Sequence, residues 1–316
     1  MSAHTHDHTP HPRHHDHAHG HHHHGPVRRD RAFAIGAVVN LGFVLAEVGF
    51  GLAANSVALV ADAVHNFGDV LALLLAWGAA SLMRRPPTPR RTYGWGRSSI
   101  LAALVNAAVL LISVGAIGIE AVRRFWEPAP VSTGLVMAVA AAGIIVNGGS
   151  ALLFLRDRAH DLNIRAQFLH LAGDAIVSGG VVLAALVIRY SGLAWLDPLA
   201  SLVIAGMITV ATWGVLREAM DLAMDAVPGG VAQHAVQDWL EALPGVVEVH
   251  DLHIWGLSTT ETALTAHLVY AGHTSDRRLH DLSHELQARF GIGHATLQIE
   301  SDADAALCRL RPNHVV

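Results

Sequence analysis

The chain has 316 residues, 52% of them hydrophobic and 15% charged, with a formal net charge of −5 and a mean hydropathy of +0.38. About a quarter of the residues are charged in an ordinary soluble domain, so this composition excludes a disordered or fibrous chain and points to several membrane spans. The charge gives no sign of nucleic-acid binding, and the single cysteine, Cys308, excludes an internal disulfide.

Residues 1–29 hold His, Pro, Asp, Gly and Arg with almost no apolar side chain. They cannot bury enough surface to offset the entropy of ordering, so a disordered tail is expected. The stretch lacks the apolar centre of a secretory signal. Of the chain's 24 histidines, 12 fall in residues 1–24, a composition that points to metal. The run His21 to His24 reads either as an expression tag or as part of a native metal-gathering tail. The spaced histidines from His4 to His19, mixed with Asp7 and Asp16, favour the second reading.

Six apolar segments follow, at 32–53, 57–82, 98–121, 131–155, 163–190 and 196–216. Each has about 20 residues or more, enough to cross a ~30 Å hydrocarbon core as a helix. The first two are separated only by Ala54, Asn55 and Ser56, which predicts a tight hairpin. Arginines cluster before the first segment, between the second and third, and between the fourth and fifth. Arg123, Arg124 and Arg189 run against that bias. The balance places both termini in the cytoplasm, in an integral multi-pass membrane protein.

The character changes from about residue 217, so the expected domains are a six-helix part at 30–216, a second domain at 217–302 and a tail at 303–316. Residues 231–243 read as an amphipathic helix, 246–256 and 261–270 as strands, 275–290 as a helix and 294–300 as a strand. That order makes a small α+β domain with its helices on one face of a short sheet.

Ionisable residues inside spans are expensive, and they mark substrate or proton paths. Glu47 lies in the first span, Asp62, His65 and Asp69 in the second, His170 and Asp174 in the fifth. His65 with Asp69, and His170 with Asp174, are both His-x-x-x-Asp, which puts an imidazole and a carboxylate on one helix face. His65 and Asp69 lie roughly 12 and 18 Å from the outer start of their span; His170 and Asp174 lie roughly 11 and 17 Å from the inner start of theirs. The spans run in opposite directions, so His65 is level with Asp174 and Asp69 with His170, near the midplane. Two imidazoles and two carboxylates suit a tetrahedral Zn²⁺, and Co²⁺, Ni²⁺ and Cd²⁺ stay compatible. Two unrelated polar pairs closing interhelical hydrogen bonds would be the bland alternative. These ligands also titrate, so a site open alternately to each side would exchange metal for protons. No phosphate-binding loop and no His-Glu-x-x-His is present, which argues against an ATPase and against a metalloprotease. A membrane sensor or store that binds metal without moving it is the rival class, and a midplane site favours transport over it.

With these pairs the chain resembles the cation diffusion facilitator family, in its zinc-exporting branch. The resemblance covers about residues 30–302. It also rests on Ser56-Val57-Ala58-Leu59-Val60-Ala61-Asp62-Ala63-Val64-His65, on Thr92-Tyr93-Gly94-Trp95-Gly96-Arg97 and on His250-Asp251-Leu252-His253-Ile254-Trp255. It implies an all-α bundle of six transmembrane helices with a cytoplasmic α+β ferredoxin-like domain. The implied assembly is a homodimer in the lipid bilayer that exports Zn²⁺ against protons and is not an enzyme. The implied transport site is His65, Asp69, His170 and Asp174. The implied cytoplasmic zinc site is His250, His267, His280 and Glu300, and the implied charge pair is Arg97 with Asp225. Three departures stand out. The loop from Arg84 to Arg97 has no His, Asp, Glu or Cys, so a second metal site found there in some members is not expected. Ser98 and Ser99 stand where many members place an acidic residue. Gln298 stands where a further family histidine falls, and Cys308 reads as a substitute ligand or as an ordinary thiol. His253 is an odd number of residues from His250, which predicts the opposite strand face; His284 reads as solvated.

Overall fold

The computed structural model describes residues 26–155, 162–272, 276–301, 305 and 308–311. The expectation for residues 1–25 lies outside them. Six helices come first: α1 (Pro26–Ala53), α2 (Val57–Met83), α3 (Ser98–Trp126), α4 (Thr133–Phe154), α5 (Leu162–Ser191) and α6 (Leu196–Ala223). Among the described residues, α2 to α6 each carry a stretch long and apolar enough to cross a membrane, and α1 carries the shorter apolar stretch Asn40–Ala53.

The helices outrun the apolar segments at several ends. α1 starts at Pro26, inside the stretch expected to be a tail. α3 continues to Trp126 because Glu120, Arg123, Arg124 and Glu127 are helix-compatible and pair one turn apart, as in Arg124 Nε to Glu120 at 3.0 Å. α6 runs on to Ala223, seven residues beyond the expected end at 216. Charge ends a hydrocarbon span; it does not end a helix.

The α1–α2 hairpin is as tight as its three-residue link suggests. Asn55 turns with φ +55°, a region Asn tolerates. A Cβ on Gly51 would stand 2.9 Å from Val60 Cγ2 and 3.2 Å from its backbone nitrogen, so the two helices meet at a glycine. Arg124 of α3 donates to the Asn55 side-chain oxygen at 2.7 Å, and Ser132 N donates to Ala54 O at 2.9 Å. Above this hairpin Val57, Leu59, Ala61, Ile117, Val136, Val181 and Ile204 form a continuous buried core. That core closes the hairpin end of the bundle.

The C-terminal domain follows as α7 (Gln233–Glu241), β1 (Val246–Gly256), β2 (Thr262–Tyr270), α8 (Asp276–Phe290) and β3 (Ile292–Glu300). β1 and β2 are antiparallel neighbours; β2 and β3 are parallel, joined through α8, the crossover that parallel pairing requires. Val236, Leu240, Leu264, Leu268, Leu282 and Leu286 fill the core between sheet and helices.

The link between the β strands' hairpin and the helices is close. A Cβ on Gly96 would lie 2.7 Å from Leu257 O, so only glycine fits where the α2–α3 loop passes the β1–β2 turn. Ser99 Oγ accepts a hydrogen bond from Thr259 N at 3.1 Å, which gives this serine a role in the junction. Tyr93 stacks edge-on against His294 of β3, with centroids 5.5 Å apart.

Candidate metal centres

α2 presents His65 and Asp69, and α5 presents His170 and Asp174, each pair one turn apart on its helix. His65 Nε2 is 3.1 Å from Asp174 Oδ1. His170 Nε2 is 3.4 Å from Asp69 Oδ2 and 3.8 Å from Asp174 Oδ2. Ligand atoms on one tetrahedral zinc stand about 3.3 Å apart, so these separations suit a single ion. His65, Asp69 and Asp174 offer atoms within 4.8 Å of one another; His170 stands just outside that tighter set, against the two carboxylates. Asp174 is buried and touches both imidazoles, whereas Asp69 and His170 are about two-fifths exposed.

That exposure has a direction. A cavity of about 390 Å³ starts at Asp69, His170 and Asp174 and runs along α2 past Leu73 to Ala76, toward the end that carries the C-terminal domain. The opposite end is the packed core at the hairpin. Asp69, His170 and Asp174 therefore sit at the inner end of this cavity, with the packed core beyond them.

A second ring of polar groups supports the first. Asn66 Nδ2 donates to Glu47 Oε2 at 2.9 Å, and Ser178 Oγ donates to Asp62 Oδ2 at 2.8 Å. Glu47, Asp62 and Ser178 are fully buried. Sequence reasoning noted Glu47 and Asp62 but missed Asn66 and Ser178. Ser178 follows Asp174 by four residues, so helical spacing was the signal that could have found it. Asp197 was missed as well. From the start of α6 its carboxylate accepts hydrogen bonds from Ser56 Oγ and, at 2.7 Å, from Val57 N. It caps the helix that carries half of the cage.

Arg97 and Asp225 are joined by a hydrogen-bonded ion pair, with both side chains half exposed. Such a pair contributes roughly 0–1 kcal/mol of stability. Reversing one charge with Arg97→Asp should lower metal flux while shifting the melting temperature little. The double variant Arg97→Asp with Asp225→Arg should restore flux; failure of the exchange to rescue would show that the charges do not act as a pair.

In the C-terminal domain His250 and His267 face each other across β1 and β2, with ring centroids 5.1 Å apart. Glu300 of β3 reaches both, at 3.4 Å from His250 Nε2 and 2.9 Å from His267 Nδ1. Cys308 joins them, its Sγ 3.6 Å from His267 Nδ1. His280 does not. It lies on α8, which packs on the core face of the sheet through Leu282 and Leu286, and its Nε2 meets that of His284 at 3.1 Å. Gln298 donates to Glu300 Oε1 at 2.7 Å, so it orients a carboxylate instead of offering a ring nitrogen.

His253 also departs from expectation. The β1 register slips by one residue between His250 and His253, whose partners His267 and Thr265 share one face of β2. The extra residue, Asp251, turns with φ +51° and brings His253 back to the face of His250. Asp251 Oδ1 then holds His253 Nε2 at 2.9 Å, while its Oδ2 stands 3.5 Å from His267 Nε2. At the edge of the cluster Arg311 makes two hydrogen bonds to Glu248, and the guanidinium holds that carboxyl below its usual range. The pair's contribution is thus complete at neutral pH and is lost as acid brings the pH down through the lowered value.

Residues 33–222 match the cation efflux transmembrane domain and residues 228–302 match the cytoplasmic domain of cation efflux proteins. The zinc transporter ZitB of Escherichia coli is 35% identical over 265 residues, covering 83% of this chain and 84% of that protein. The cadmium, cobalt and zinc/H(+)-K(+) antiporter of Bacillus subtilis is 31% identical over 289 residues, covering 88% and 93%. The metal-bound C-terminal domain of the CzcD transporter from Cupriavidus metallidurans is 36% identical, covering 22% of this chain and 99% of that one, with a TM-score of 0.21.

Proposed function

Because the chain belongs to the cation efflux family of membrane transporters, we propose that it exports Zn²⁺ from the cytoplasm in exchange for protons, through His65, Asp69, His170 and Asp174. The observation that carries this reading is the meeting of two His-Asp pairs from oppositely directed helices, 3.1 and 3.4 Å apart, at the inner end of a cavity. The names of its relatives support zinc and similar divalent ions as cargo.

The exchange follows from ligand chemistry. Zn²⁺ requires both imidazoles neutral and both carboxylates ionised. Without the ion, two negative charges inside a membrane call for positive partners, and protonated His65 against Asp174 and His170 against Asp69 supply them. Loading the ion expels those protons; taking protons up releases the ion. The cavity leads toward the end that carries the domain the family match describes as cytoplasmic, which supports reading this form as inward-open. Both termini lie on that side, and the protein works as a homodimer, with the C-terminal domain holding metal at His250, His267 and Glu300.

Proteoliposomes with an imposed pH gradient test this. Zinc should move against the proton flow and collapse when the gradient is dissipated; zinc binding with no gradient-driven flux would favour a sensor or store. Removing residues 1–24 should leave turnover largely intact and shift the zinc concentration giving half-maximal rate. Complete loss of flux on that deletion would make the histidine-rich segment part of the path.

A further inference from the structure

The loop between α2 and α3 gathers positive charge at one end of the bundle. Residues 84–97 hold five arginines and no carboxylate. Arg97 spends its Nη2 on Asp225. Among the described residues, Arg84, Arg85, Arg90 and Arg91 meet no acidic side chain; the arginine ion pairs lie elsewhere. Arg91 is held in place all the same. Its backbone bridges to Thr88, its N donates to Thr88 Oγ1 at 3.1 Å, and its guanidinium lies over the Trp95 indole, 4.0 Å from the ring centre. Stacking uses the face of the guanidinium and leaves the N–H donors at its edge open.

These groups stand at the mouth of an apolar groove. A cavity of about 650 Å³ lies between the end of α2 and the start of α3, with Arg91, Trp95 and Arg97 in its lining. Leu74, Gly78 and Leu82 form one wall, Leu101 and Val105 the other. Ser98 Oγ donates to Ala79 O at 3.4 Å and ties the two walls together. A Cβ on Gly78 would meet nothing within 4 Å, so the missing side chain keeps the groove open. Leu74, Leu101 and Val105 are 40%, 59% and 49% exposed, which leaves the groove unfilled by the protein. From Leu82 to Leu74 is about 12 Å along the helix, most of the ~15 Å that one leaflet contributes to the hydrocarbon core.

We propose that this groove is a binding site for one anionic phospholipid, with its phosphate on Arg91 and Arg97 and an acyl chain along Leu74, Gly78 and Leu101. The chemistry calls for both parts of such a molecule. A guanidinium fork suits phosphate oxygens, and basic pockets between spans select anionic headgroups. The apolar walls give a free phosphate nothing to bury, and a zwitterionic headgroup brings its own cation into a loop of five arginines. Trp95 stands where the headgroup meets the hydrocarbon, a level at which indoles are favoured. The same loop touches the β1–β2 turn through Gly96 and Ser99, so the headgroup is held where the bundle meets the C-terminal domain. The site depends on the membrane spans and not on the metal cage.

Native mass spectrometry of the full-length protein in detergent, titrated with dioleoylphosphatidylglycerol or dioleoylphosphatidylcholine, tests this. The chain should keep one phosphatidylglycerol under conditions that strip phosphatidylcholine. Arg91→Gln should weaken that binding about fivefold, the scale of one arginine at a membrane surface. Gly78→Phe fills the groove while sparing every arginine, and should remove the bound lipid. Asp174→Ala should leave it in place, which separates this inference from the transport reading. Size-exclusion profiles show whether the variants fold, and Arg91→Gln, in an exposed loop, carries the test if Gly78→Phe does not. Equal retention of both lipids would overturn the proposal. So would phosphatidylglycerol binding unchanged in Gly78→Phe, which would assign it to scattered arginines, or full displacement by millimolar inorganic phosphate, which would make the site one for a free anion. Oxidative cross-linking of two chains through Leu101→Cys, in a Cys308→Ser background, would mean that a second copy covers the groove and would also sink the idea.

Discussion

Asp174→Ala should abolish zinc flux and leave a folded dimer. Of the four side chains in the cage, Asp174 is the one that touches both imidazoles, and it is also the most buried. Removing it takes away a ligand and the carboxylate that stands 3.1 Å from His65. Loss of an outer-shell partner alone costs roughly 10–100-fold in metal affinity, so loss of this inner ligand should exceed that range. The fold should survive, because α2 and α5 are also held by the apolar core at the hairpin end and by the polar ring of Asp62 and Ser178, which the substitution leaves in place. Asp69→Ala should be milder: Asp69 pairs with His170 at 3.4 Å and is about two-fifths exposed, so water can stand in for its oxygen. Flux into proteoliposomes, read beside size-exclusion profiles of both variants, gives the ranking. Near wild-type flux in Asp174→Ala, or a stronger defect in Asp69→Ala, would break the assignment of Asp174 as the central ligand.

Asp197→Ala should destabilise the bundle by about 2–4 kcal/mol, the sum expected for a lost helix cap and a buried donor left unpaired. The residue is 2% exposed and accepts from Ser56 Oγ and Val57 N, on a helix whose first residue lies 140 positions earlier in the chain. Ser56 also caps α2 itself, through Leu59 N at 3.2 Å. Take the carboxylate away and the first turn of α2 loses its anchor to α6, two turns before His65. Zinc flux should therefore fall together with the melting temperature. Ser56→Ala removes the hydrogen bond to Asp197 and the cap on Leu59 N but spares the contact of Asp197 to Val57, and should cost about 1–2 kcal/mol. An unchanged melting temperature in Asp197→Ala would mean that α2 is held by packing alone.

The local chemistry of this chain was legible from its residues. Apolar run length marked the helices, because crossing a hydrocarbon core needs a set number of residues at a fixed rise. The two His-x-x-x-Asp pairs were legible because four residues make about one helical turn, which brings both groups to one face. Their levels could be matched from the ends of antiparallel spans, and the structure brings His65 to Asp174 and Asp69 to His170.

What stayed hidden depends on contacts between distant segments. Nothing near Ser56 announces that Asp197 will cap its helix. Strand parity assigned His253 to the wrong face, because one extra residue at Asp251 shifts the register and reverses every side chain beyond it. His280 was expected in the cluster and is kept from it because α8 packs on the core face of the sheet, whereas Cys308, which the sequence left open as ligand or ordinary thiol, stands beside His267. Sequence by itself determined which side chains share a helix face and how far they sit along a span, since both follow from backbone geometry. Only the tertiary structure decided which of those faces meet, because that rests on packing and register, where a one-residue shift changes the answer.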